Sequence, residues 1–327
     1  MGAWQEIVDY TVPSNTTQVD FTGLNITKDD FIRVVTTINN TSSGAGTIGI
    51  FPNNDTNDNN YYRQLIRAFG GEFNASRVNQ FRFGLIGPNK IGNINGYLKI
   101  SKNNKLNVFG NYNDNNGSSV ENNFSYTTST SSFTSITSLS LKSNQTNGLG
   151  ANSRIQIYKL AAEKVADITV ASNTTQVDIT GLDIKKGDEY LLVSDIAYSG
   201  GSTPVYWLMV NNNLTKTNYY NQEIRGEAST ASAARQNAPL FASLNATNAQ
   251  RTLIYTHIKL SNIGAYTSQS YAMRSIGSNI VGIQNRFISS TFENLTSINQ
   301  LNIETQLSNG ISPNTRFQLY KLYEGGN

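Results

Sequence analysis

The chain has no cysteine, a single histidine, and charged residues at only 14% of its 327 positions. Without cysteine there is no disulfide framework and no thiol chemistry. With no second histidine either, a structural zinc site is excluded. Lys and Arg number 25 against 22 Asp and Glu, a formal charge of +3, and the basic residues are scattered. Binding to phosphates needs them clustered, so nucleic acid is not an expected partner. No apolar run reaches the roughly 18 residues of a transmembrane helix, so no membrane partner is expected either. Met1-Gly2-Ala3-Trp4-Gln5-Glu6 lacks the basic start and apolar stretch of a signal peptide, and the Ser or Thr of a myristoylation site. Synthesis in a cytoplasm is the expectation.

Polarity comes instead from Asn, Ser and Thr, with 44 Asn. The chain also repeats itself. Ser14-Asn15-Thr16-Thr17-Gln18-Val19-Asp20 returns unchanged as Ser172-Asn173-Thr174-Thr175-Gln176-Val177-Asp178, and Thr22-Gly23-Leu24 returns as Thr180-Gly181-Leu182. Near the far ends, Arg154-Ile155-Gln156-Ile157-Tyr158-Lys159-Leu160 is echoed by Arg316-Phe317-Gln318-Leu319-Tyr320-Lys321-Leu322. The period is too long for a solenoid repeat. Two domains follow, 1–160 and 161–327, each long enough for its own core.

Within each copy the apolar residues alternate, as in Val8, Tyr10 and Val12, or Val19 and Phe21 against Asp20 and Thr22. That is the period of half-buried strands. Turn signals recur about every ten residues, so the fold class is all-β: two tandem jelly-roll-like antiparallel β-sandwiches from an internal duplication. Glu227 to Gln236, rich in Ala and Ser, is the one segment expected as a short helix, with no counterpart in the first copy.

Enzyme signatures are missing. His257 lies in a strand-like run and its counterpart is Tyr97. The acids shared by both copies, Asp20/Asp178 and Asp30/Asp188, sit at turns, where capping explains them better than a catalytic carboxylate pair does. Asn53-Asn54-Asp55-Thr56-Asn57-Asp58-Asn59-Asn60 places oxygen ligands at alternate positions but lacks the glycine and distal glutamate of a calcium loop. An Asn-rich turn is the simpler reading. No catalytic residue, metal or cofactor is expected. The paired tyrosines are more informative. Tyr61-Tyr62 with Gln64 and Arg67, and Tyr219-Tyr220 with Gln222 and Arg225, combine aromatic faces with fixed hydrogen bonding, which suits a sugar or a subunit contact. If one tyrosine of each pair faces the core, the set is ordinary strand. Trp207 is a further candidate for such a surface.

Tyr10 to Ser14, Val19 to Leu24, Asn54 to Tyr61, Ile136 to Leu139 and Ser153 to Tyr158 carry a resemblance to a known family. In the second copy Ile168 to Ser172, Val177 to Leu182, Asn218-Tyr219, Ile298 and Thr315 to Tyr320 correspond. The pattern resembles the β-sandwich modules of tailed-bacteriophage structural proteins, among them head decoration or auxiliary capsid proteins and fibres. It departs at Lys159 and Lys321, where the family closes on Gly. The resemblance implies a non-enzymatic virion protein in a homo- or hetero-oligomeric assembly, with the major capsid protein or other virion proteins as partners. A fibre or receptor-binding module for bacterial surface glycans is the alternative.

Overall fold

The computed structural model describes residues 3–69, 72–115, 120–227, 229–243, 250–276 and 279–323. Among them there is no α-helix; only the three-residue 3-10 turns Asp58–Asn60 and Lys216–Asn218 interrupt the strands. The first copy contains β1 (Trp4–Thr11), β2 (Gln18–Thr27), β3 (Ile32–Asn40), β4 (Gly46–Pro52), β5 (Tyr61–Phe69), β6 (Glu72–Val78), β7 (Gly84–Ile86), β8 (Lys90–Ile100), β9 (Leu106–Asn115), β10 (Val120–Ser129), β11 (Ser135–Ser143) and β12 (Arg154–Leu160). The second contains β13 (Glu163–Thr169), β14 (Gln176–Lys185), β15 (Glu189–Tyr198), β16 (Val205–Val210), β17 (Tyr219–Glu227), β18 (Thr230–Gln236), β19 (Leu240–Ser243), β20 (Gln250–Leu260), β21 (Tyr266–Ile276), β22 (Asn279–Ser290), β23 (Ser297–Thr305) and β24 (Arg316–Tyr323).

Each copy is a jelly roll with an extension. β1 pairs with β12, β2 with β11, β3 with β8 and β4 with β7, all antiparallel, so eight strands nest first with last. They divide into two facing sheets, as a jelly roll requires. Strands β9, β10, β5 and β6 then widen one sheet to eight strands in the order β1-β12-β3-β8-β9-β10-β5-β6, over a four-stranded β2-β11-β4-β7. The second copy repeats both orders strand for strand. Between the sheets lie Val34, Ile48, Ile94, Leu139 and Ile157 in the first copy, and Leu192, Leu208, Ile254, Leu301 and Leu319 in the second. Gly23 and Gly181 hold φ of +73° and +71°, which only glycine adopts at no cost, so the shared Thr-Gly-Leu is a backbone requirement.

Glu227 to Gln236 is not a helix. Its main part is strand β18, paired with β17 along Asn221 to Glu227, and its counterpart is β6 on β5. The open edge of β17 offers a row of backbone partners, which outweighs the modest helix preference of Ala.

The two eight-stranded sheets also pack on each other through their outward faces. Phe31, Ile66, Phe109 and Tyr126 of the first copy share one apolar cluster with Leu191, Val193, Leu253, Tyr255, Met273 and Ile283 of the second. Phe31 lies 4.8 Å from Tyr255, and Phe109 lies 4.6 Å from Tyr271, between ring centroids. Gly226 permits the close approach: a Cβ there would stand 2.4 Å from Ile66 Cγ1. The layers therefore run four strands, eight, eight, four. Polar contacts flank the apolar seam. Asp29 accepts from Arg316 at 2.6 Å, and Asp195 Oδ2 accepts from the backbone N–H of Lys102 at 2.8 Å.

Tyr255→Ala should cost about 3–5 kcal/mol, as large aromatic deletions in cores do. Because the ring lies in the cluster shared by both copies, calorimetry should also show a broader thermal transition as the coupling between the copies weakens.

Candidate functional site

The Asn-rich loops share one fastening in both copies. Asn53 and Asn54 have φ of +50° and +60°, Asn211 and Asn212 +52° and +56°, a conformation Asn tolerates better than other non-glycine residues. Asn53 Oδ1 accepts from the N–H of Thr137 (2.8 Å) and Ser138 (3.3 Å), and its Nδ2 donates to Ser135 O (2.9 Å). Asn211 repeats this with Asn299 N, Gln300 N and Ser297 O. The loop is thus fastened to the neighbouring strand by a side chain that imitates a peptide group. Its acids are taken up by nearby groups: Asp55 accepts from Asn60 Nδ2 at 2.7 Å within the loop, and Asp58 from the backbone N–H of Phe81, beyond β6, at 3.2 Å.

Tyr61 and Tyr219 belong to the same construction and correct the expectation of exposed rings. Both are fully buried. Their hydroxyls donate to Asp55 O and Asn213 O, each at 3.0 Å, holding the loop from below. Burial pushes both phenols up, Tyr219 to about 12. Strand alternation sends the following tyrosine to the opposite face, so neither pair presents two rings to one ligand.

Tyr62 and Gln64 face the other copy: Tyr62 is half-buried against the seam and Gln64 fully buried. Tyr126, directly opposite Gln64 on β10, is buried there too. The corresponding trio in the second copy is Tyr220, Gln222 and Phe287, with Gln222 directly opposite Phe287. Tyr220 and Phe287 are each 51% exposed. The two copies therefore carry one arrangement with opposite fates, sealed in the first and open in the second. Beside Phe287 lie Asn285 and Gln269, and Gln269 Nε2 donates to Asn285 Oδ1 at 3.5 Å. Two rings among three amides form a ledge on the outward face of the second copy's large sheet. Arg67 and Arg225 are half-buried and stand on the alternate face of their strands. Sequence reasoning reached Tyr220 and Gln222 but missed Phe287. The signal was present in Arg286-Phe287-Ile288, where two adjacent apolar residues break the alternation. Trp207 is not a free platform: Lys216 Nζ sits 3.3 Å from its ring centroid.

The shared acids close turns. Asp30 accepts from Thr27 N at 2.7 Å and Asp188 from Lys185 N at 2.9 Å, while Asp20 and Asp178 accept from Gln18 and Gln176 two residues away. His257 is half-buried and stands against Tyr97, 6.4 Å between centroids, with burial lowering its basicity. Arg154 pairs with Asp9 across adjacent strands, and Arg316 pairs likewise with Asp167 while also reaching Asp29. At the seam a small cleft is lined by Lys99, Asp29, Asp195 and Arg316. Lys99 is 4% exposed and donates to Lys28 O at 3.0 Å. Burial lowers its ammonium to about 8, partly offset by Asp195. An amine so committed to a backbone carbonyl holds the Lys28–Asp30 turn rather than acting as a nucleophile.

No family model matches the chain, and no curated protein matches it. Among solved structures, domains LG4-5 of the mouse laminin α1 chain are 9% identical, with a TM-score of 0.21, covering 99% of this chain and 94% of that one. The di-domain ARO/CYC StfQ from the steffimycin biosynthetic pathway is 5% identical, with a TM-score of 0.09, covering 79% and 84%.

Lys99 gives a pH signature. Its basicity is lower in the folded protein, about 8 against an ordinary 10.5. Between those values the unfolded chain binds more protons, so stability rises with pH. The urea midpoint should therefore climb from pH 8 to about pH 9.5, before the buried tyrosines oppose it. In Lys99→Met the climb should vanish.

Proposed function

We propose that the chain is a non-enzymatic structural protein of a bacteriophage virion, a decoration or auxiliary protein that binds and stabilises the head shell. The observation that carries this reading is the seam. With the large sheets covering much of each other, the two small sheets lie on opposite sides of the molecule at a fixed separation. A rigid block with two outward faces suits a bridge between neighbouring shell subunits. Its surface supports the same reading. Asn, Ser and Thr make many modest hydrogen bonds without charge, so contacts made through them depend little on salt. The acids repeated in both copies close turns, and the low-basicity amine of Lys99 is enclosed. The resemblance to phage β-sandwich modules supplies the virion setting. Quantitative gel analysis of purified particles should find tens to hundreds of copies per particle. Recovery at a few copies, together with binding of the purified protein to host cells, would overturn it.

The ledge favours a second reading, a fibre or receptor-binding module for a bacterial surface glycan. Exposed rings beside amide groups are what a sugar site uses, stacking on the ring and hydrogen-bonding to the hydroxyls. On this reading Tyr220→Ala and Phe287→Ala should each abolish glycan-array binding while leaving the melting temperature nearly unchanged, as exposed substitutions do. Tyr219→Ala, one residue away but in the core, should instead cost about 3–5 kcal/mol. Array binding that survives both exposed substitutions would remove the ledge from consideration.

A further inference from the structure

The strands that widen each large sheet carry buried polar groups on their inner faces, next to the hydrophobic core. In the second copy a buried guanidinium meets a buried carboxylate there. Arg286 on β22 is 1% exposed and donates to Glu223 Oε1 at 2.8 Å and to Ser243 Oγ at 3.2 Å, and Glu223 is 4% exposed. Pairing registers equate Glu223, opposite Arg286, with Leu65, opposite Ser125. The first copy therefore has no carboxylate at that place.

It nevertheless buries positive charge. Arg63 shares the inner face of β5 with Tyr61 and Leu65, is 3% exposed, and has no hydrogen-bond partner at Nε or Nη1. Its counterpart by register is the neutral Asn221. Arg82 lies near enough for its charge to oppose that of Arg63. Arg82 Nη2 donates to Thr47 Oγ1 at 2.8 Å, but its buried Nε is also unpartnered. Tyr112, which acts on the same charge, is directly opposite Asn123, a fully buried residue with neither Nδ2 nor Oδ1 partnered. Asp58 attracts Arg63 from a distance, while its Oδ1 accepts from the Phe81 N–H. Arg286 leaves its own Nε and Nη1 unpartnered too, so what separates the copies is charge. The second has a carboxylate among its buried donors. The first, among the described residues, has two guanidiniums and no ion pair to either.

We propose that the first copy binds a small inorganic anion of chloride size between Arg63 and Arg82, in the role that the Glu223 carboxylate fills in the second copy. A buried charge is costly unless an opposite charge and hydrogen bonds meet it. An anion meets both needs, because hydrogen bonds between charged partners are the strong ones. Enclosure sets the size of the ion. Arg63, Tyr112, Asn123 and Ser125 are all buried, which suits an ion stripped of its water and excludes a bulky ligand. An ion that binds only the folded chain also stabilises it by mass action. The site goes beyond the assembly reading and does not depend on it.

The test follows thermal unfolding of the full-length protein while sodium chloride replaces sodium gluconate at constant ionic strength. For a Kd on the order of 10 mM, the melting temperature should rise by about 3 °C between roughly 3 and 300 mM chloride. Arg63→Asn, which installs the residue found at the matching position of the second copy, should abolish the rise. Leu65→Glu should abolish it as well, by placing a carboxylate two residues along the same strand face. Lys186→Gln, at an exposed cation elsewhere, should leave it intact. Crystals of the wild type grown with bromide should show an anomalous peak within about 3.5 Å of an Arg63 nitrogen. A melting temperature indifferent to chloride overturns the proposal, as does a rise that survives Arg63→Asn. Bromide peaks confined to the surface overturn it even if the variants fail to fold. A rise with sulfate but none with chloride would assign the place to a larger oxyanion and overturn it too.

Discussion

The face-to-face packing of the two eight-stranded sheets decides what the remaining surfaces can do. A jelly roll has one core between its sheets, and its outer faces are ordinarily polar. Here the widened sheet of each copy is apolar on both faces over part of its area, and the second face is satisfied only by the other copy. Phe109 on Tyr271 and Phe31 on Tyr255 make that contact aromatic, and Gly226 lets the backbones come close enough to exclude water. The short Ala161-Ala162 connection lets β12 lead directly into β13, so the copies meet without a free linker. Contacts across the seam fix the relation between the small sheets.

The two copies solve the same structural problem inside their sheets by different means. In the second, Arg286 is 1% exposed at its side chain and pairs with Glu223 at 2.8 Å. Glu223 and Arg286 stand opposite each other on β17 and β22. The matching positions in the first copy are Leu65 and Ser125, also directly opposed, and the charge has gone. Instead Arg63 is buried there, its basicity lowered to about 10 by burial and by Arg82 nearby. Breaking a buried pair by removing one partner costs several kcal/mol, so such a pair is exchanged as a unit. The Leu65 and Ser125 positions fit that pattern, and they mark where the copies are free to diverge.

Much of the fold was legible in the sequence because its causes are local. Alternation gave the strands, and the repeated Thr-Gly-Leu marks a bulge inside β2 and β14 whose positive φ only glycine adopts at no cost, at Gly23 and Gly181. The seam was harder to read. Tyr190-Leu191-Leu192-Val193 lacks alternation, the mark of a strand buried on both faces, yet nothing local says what covers the second face. The same gap explains the paired tyrosines. Their spacing shows that one points inward, but whether the outward one is sealed, as Tyr62 is in part, or open, as Tyr220 is, depends on a surface more than a hundred residues away in sequence. Phe287 was missed for the mirror reason. An aromatic residue on a strand looks like core until the partner sheet is known to stop short of it.

Duplication within one chain gives this molecule a freedom that a symmetric dimer lacks. An isologous interface must make every contact twice. Here Arg316 reaches across to Asp29, but the reciprocal positions are Arg154 and Gly187, and Arg154 pairs with Asp9 inside its own copy. Asp195 holds the backbone of Lys102, while its counterpart Thr37 carries no carboxylate and donates to Asn93. Because the contacts need not be reciprocated, one trio of side chains can be sealed at the seam while its twin stays open. For the same reason one small sheet can carry Trp207 where the other carries Gly49. Two identical subunits would have to expose both ledges or neither. A single chain can keep the shared scaffold and make its faces different.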